Sequence, residues 1–95
     1  MKTTINPTLK DFNRMFYVYY EIIKDHTKTI KTVTDFSLNI EGGVYILNIK
    51  SYFPGLIIGK GGKDIDGFKN YIQKELNIKN FKINLEEEKM WNNLF

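Results

Sequence analysis

Residues 53–68 read FPGLIIGKGGKDIDGF. The apolar residues Leu56, Ile57 and Ile58 run straight into Gly59, Lys60, Gly61 and Gly62, and Lys63 follows at once. A plain turn needs one glycine, or two. Three of them beside an apolar run imply that another group approaches the backbone closely, because glycine has no Cβ to hold it away.

Working outward, Pro54 is suited to open a short helix through Leu56, Ile57 and Ile58. Beyond the glycines, Ile65, Phe68, Ile72 and Leu76 recur at steps of three and four residues, which predicts a second helix to residue 76. Upstream, TVTDFSLNI alternates with Phe36, Leu38 and Ile40 on one side, and VYILNIK with Tyr45, Leu47 and Ile49. The intervening EGG is a short glycine turn, so residues 32–50 read as a β-hairpin. Downstream, FKINL alternates Phe81, Ile83 and Leu85 and predicts a strand over 81–85. Before the hairpin, Leu9, Phe12, Phe16, Tyr19 and Ile23 mark one face of an amphipathic helix over about 8–30. Thr8 is its N-cap and Asp11 the capping partner.

The order is α-β-β-α-α-β, an α+β fold. A hairpin plus a strand returning through a right-handed helical crossover makes a three-stranded mixed sheet. The strands alternate, so three helices cover one face only. The domain is expected over 1–85, with helix–loop–helix at 54–76, followed by an acidic and aromatic tail at 86–95.

Ile58, Gly59, Gly62 and Ile65 fall without a gap on a pattern of isoleucine–glycine, two residues, glycine, two residues and isoleucine. That stretch resembles the defining segment of a KH domain. The element order resembles the type II, or prokaryotic, form. It looks most like the KH domain near the N-terminus of a bacterial small-subunit ribosomal protein. That protein normally has a second domain downstream, whereas this sequence stops at Phe95, so the fold carries over better than the cellular role. Competing phosphate motifs fail on spacing: a P-loop needs Ser or Thr after its lysine, and Lys63 is followed by Asp64.

The loop's own chemistry points the same way. Glycines 59, 61 and 62 let a sugar–phosphate chain close on the backbone, and the loop feeds a helix N-terminus that favours phosphate oxygens. Lys60 and Lys63 add charge without selecting a base. The resemblance further implies a clamp on about four nucleotides of single strand, with Gly55, Leu56, Ile58 and Ile65 as an apolar floor under the bases. Ile58 and Ile65 serve equally well as core. Asp64 and Asp66 favour the start of their helix but repel a nearby phosphate. Gly67 weakens the same helix, and close helix–sheet packing is one reason for it.

Composition bounds the rest. The chain has 95 residues, 42% hydrophobic and 26% charged, which suits one globular domain. It has no cysteine, no apolar run long enough to span a bilayer and no apolar signal-peptide region, so no membrane role and a cytoplasmic or organelle-matrix location are expected. A net charge of +3 favours an anionic partner weakly, and of 14 basic residues only Arg14 is the arginine that reads guanine bidentately. His26 is the only histidine and reads as a surface residue near a helix end. No nucleophile–base pair or metal-ligand cluster is apparent, so no enzyme, metal or cofactor is expected. MFYVYY reads as helix core, with Tyr17 and Tyr20 at its rim. Single-stranded RNA, either rRNA or mRNA, is the expected partner, within a ribosome or another ribonucleoprotein. The alternative is a KH-folded adaptor that docks a protein through Trp91 and Phe95 and binds little or no RNA.

Overall fold

The structure, a computed structural model, describes residues 7–89; Trp91 and Phe95 lie outside them. The hairpin pairs β1 (Val33–Glu41) antiparallel to β2 (Val44–Ser51). Gly42 and Gly43 join them at φ 56° and 80°, the doubly positive backbone that matches the twist of the flanking strands. The third strand, β3 (Phe81–Glu87), lies parallel to β2, giving the order β1-β2-β3.

Register puts one set of side chains on each face. Phe36, Ile49 and Leu85 are cross-strand neighbours on the inner face, and so are Leu38, Leu47 and Ile83. Leu47 and Ile49 on the central strand are fully buried, each worth roughly 1.5–3 kcal/mol of transfer from water. The opposite face is polar. There Asn48 donates to Asn39 Oδ1 at 2.6 Å and accepts from Asn84 at 3.0 Å. β3 runs two residues past the Leu85 end expected from alternation. Glu86 and Glu87 pair with Lys50 and Ser51, and the Glu88 amide donates to the Ser51 carbonyl at 2.7 Å.

Helix α1 (Leu9–Tyr17) begins as the sequence predicts: the Asp11 carboxylate accepts from the Thr8 amide at 2.8 Å. That backbone bond holds the Asp11 carboxyl below the ordinary carboxylate value. The helix does not run on to residue 30. Val18–Ile23 form a π-helical segment, closed by a bond from the Lys24 amide to the Tyr19 carbonyl at 2.9 Å. Each π residue turns the chain through a smaller angle than an α residue. Tyr20 therefore swings from the expected rim to the centre of the core, while Ile23 rotates out and is 53% exposed. Asp25, at φ 58°, ends the segment, and a separate turn, α2 (Thr27–Lys31), leads into β1.

Two more helices complete the covered face, α3 (Pro54–Ile58) and α4 (Lys63–Leu76). Phe12, Phe16, Tyr20, Ile57, Phe68 and Ile72 are all fully buried between helices and sheet. The Tyr20 hydroxyl donates to the Ile57 carbonyl at 2.6 Å, which fixes the π segment to α3. Burial, and then the charge of Asp64, push that hydroxyl's pKa upward.

Gly67 has a different reason from the helix–sheet packing the sequence raised. A Cβ there would strike the Tyr19 ring, whose Cζ lies 3.2 Å away, so the glycine serves a helix–helix contact. Gly67→Ala tests this by its sign. Helix propensity alone gives about 1 kcal/mol of stabilisation, whereas displacing Tyr19, which packs on Phe68 and Tyr71, costs about 1–3 kcal/mol. Urea unfolding is expected to show net destabilisation; a stabilised variant would mean that Tyr19 simply moves aside.

Candidate nucleic-acid interface

The loop between α3 and α4 is a single 3-10 turn, Lys60–Gly62. Gly59, Gly61 and Gly62 stand at φ 77°, 64° and 81°. All three have backbone that disfavours an L side chain, Gly59 most of all with ψ at 172°. The turn itself therefore favours glycine, beside any ligand that approaches it. At Gly61 a Cβ would meet nothing within 4 Å, so the surface there is open. Gly59 is different: its Cβ would sit 2.7 Å from Asp64 Cβ, and the carboxylate fills the space that the glycine leaves.

Beside the loop is an open groove of about 680 Å³. One wall is Gly55, Leu56, Gly59 and Lys60, with Asp64 at the start of α4; the other is Asp25–Thr29. Leu56, 46% exposed, offers an apolar surface. A chain of hydroxyl bonds fastens the walls at their base. Thr32 Oγ1 donates to the Thr29 carbonyl and is 2.7 Å from Ser51 Oγ, which accepts from the Phe53 amide at 3.0 Å. Ser51 is fully buried and the bonds around it are partly buried, which ties α2 to the start of α3.

Charge is mixed along the groove. Asp64 Oδ1 is 3.4 Å from Lys24 Nζ, and Asp64 Oδ2 is 3.7 Å from His26 Nδ1. The carboxylate expected to repel a phosphate therefore has a cation beside it, Lys24, from the residue just before the opposite wall. Lys28 and Lys60 are exposed around the same opening. An apolar shelf, an open backbone turn and lysines at the rim suit a flat ring attached to an anionic chain.

The sequence pattern of the KH domain matches residues 21–93, most of the chain. The chain belongs to the KH domain family. Its α-β-β-α-α-β order and mixed sheet make it a type II KH domain. It is also similar to small ribosomal subunit protein uS3 of Clostridium botulinum strains 657 and Hall, 51% identical to each over 43 residues. That stretch is 45% of this chain and 19% of the relative, so the match spans about a fifth of the relatives' length. Membership in the family supports RNA binding at the level of the family.

Of the residues singled out in the sequence, Gly55, Leu56, Gly59 and Lys60 come together in the groove. Gly61 and Lys63 are exposed and Gly62 is half-buried. Ile65 is half-buried and packs against the core. Ile58 is 38% exposed and lies outside the groove lining. Sequence reasoning missed the opposite wall, Asp25 to Thr29. The available signal was the polar KDHT interrupting the apolar period of the first helix. Among the described residues no cluster of metal-ligating side chains occurs, and no helix is long and apolar enough to cross a membrane.

Proposed function

We propose that this KH domain binds single-stranded RNA, with the phosphate backbone held at Gly59–Lys60–Gly61–Gly62 and a base against Leu56, as a ribosomal or ribosome-associated component. The observation that carries the reading is the open turn of positive-φ glycines at the mouth of a groove with an apolar shelf. Gly55 has nothing within 4 Å of a Cβ position, which leaves room for a base to lie flat beside α3. Lys60 and Lys63 supply charge, and the likeness to uS3 supports the ribosomal part. RNA in this role is ribosomal or messenger.

Affinity for a short single strand is expected to be micromolar or weaker with little base preference, since one KH groove covers about four nucleotides. Two lysine–phosphate contacts give a slope of log K against log salt of roughly −1.4, at about −0.7 per contact for single strands. Titration of an RNA oligonucleotide at several salt concentrations checks both expectations. Salt-independent binding removes the phosphate clamp, and tight binding to duplex DNA removes the single-strand reading.

A further inference from the structure

The hydroxyl chain from Thr29 through Thr32 and Ser51 to Phe53 fastens the groove walls. A second tie joins them through the side chains of Lys24, His26 and Asp64. Asp64 is only 14% exposed, seated in the space left by Gly59. Its partners belong to the corner after the π segment, where Asp25 is at φ 58° and the His26 amide reaches back to the Tyr20 carbonyl at 2.6 Å. This corner has no strand or long helix of its own to place it.

We propose that Asp64 is a positioning residue of the RNA groove: it holds the Lys24–His26 corner against the glycine loop, so that both walls are set before the ligand arrives. The inference rests on the RNA-binding reading for its consequence, though not for the tie itself. Pre-set walls spare the ligand the ordering of the 24–29 segment, a cost otherwise subtracted from affinity. The charge of Asp64 alone acts in the other direction, because a carboxylate beside a phosphate path repels it. Positioning and simple repulsion therefore predict opposite signs when the charge is removed.

Asp64→Asn keeps the shape and removes the charge. Positioning predicts RNA affinity lower by about tenfold, the scale on which lost preorganisation exceeds a screened surface charge. The exchanged pair Lys24→Asp with Asp64→Lys restores the attraction with its sign reversed, and is expected to recover most of that loss relative to Asp64→Lys alone. Amide hydrogen exchange supplies a reading independent of RNA: the His26 and Thr29 amides are expected to exchange about tenfold faster in Asp64→Asn than in the parent, while β2 is unchanged. Should Asp64→Asn fail to fold, Lys24→Met and His26→Gln break the tie from its exposed side and are read in the same way. Unchanged exchange at His26 and Thr29 overturns the tie. Tighter or equal RNA binding by a folded Asp64→Asn overturns the positioning role. If the parent chain binds no RNA at any salt, the RNA reading has failed, and the exchange rates still decide whether the tie exists.

Discussion

Replacement of Lys60 and Gly61 together by aspartate is expected to lower affinity for single-stranded RNA by more than about a hundredfold, beyond detection for a micromolar binder. The change removes one positive charge and adds two negative ones at the exposed centre of the loop. It also places a Cβ where the surface around Gly61 is now open. Repulsion leads the effect because it acts before contact is made. The fold loses much less. Lys60 and Gly61 are exposed, and the chief cost is aspartate at φ 64°, about 1 kcal/mol in the left-handed region. Thermal unfolding and RNA titration on one preparation separate the two effects. A folded double variant that binds as the parent does would reduce the glycine loop to a corner between two helices.

The largest loss of stability is expected from Phe68→Ala. Phe68 is fully buried, with its ring 5.4 Å from Phe16 and 5.6 Å from both Tyr19 and Tyr20. Truncating such a ring costs about 3–5 kcal/mol, the transfer of the side chain plus the cavity left behind. A domain of this size has a total stability of roughly 5–14 kcal/mol, so the variant stands near its unfolding threshold. Denaturant titration should show the midpoint falling steeply with little change in slope, as for lost packing without a change of denatured state. Loss of RNA binding should accompany it, because Phe68 anchors α4, whose first turn adjoins the glycine loop. A midpoint within error of the parent's would mean that α4 is held by contacts other than this aromatic cluster.

The strands and the later helices are legible in the sequence because each uses a period that one stretch of chain displays alone. Phe36 and Leu38, Leu47 and Ile49, and Ile83 and Leu85 alternate in the sequence and share the inner face of the sheet. Ile65, Phe68, Ile72 and Leu76 keep helical spacing and lie against the same core. The first helix is only half legible. Its α period holds through Phe16, but the π segment comes from a packing preference: it centres Tyr20, whose hydroxyl finds the Ile57 carbonyl 37 residues away. No local pattern announces a partner at that distance.

Element order, the inner face of the sheet and the place of the glycine loop all follow from the amino-acid order alone. They rest on local period and on the conformations that only glycine adopts readily. What stands opposite that loop emerges only when the chain is folded. Asp25–Thr29 become a groove wall because the π segment turns them toward α3, and the Ser51–Thr32 bond fixes their distance. In the sequence, Gly59 and Gly67 suggest space for a ligand and for the sheet, yet their Cβ positions meet Asp64 and Tyr19. One cause underlies these differences. A backbone dihedral and a hydrophobic period belong to one segment, whereas a cavity wall, a shared charge and a forbidden Cβ belong to two segments that meet only on folding.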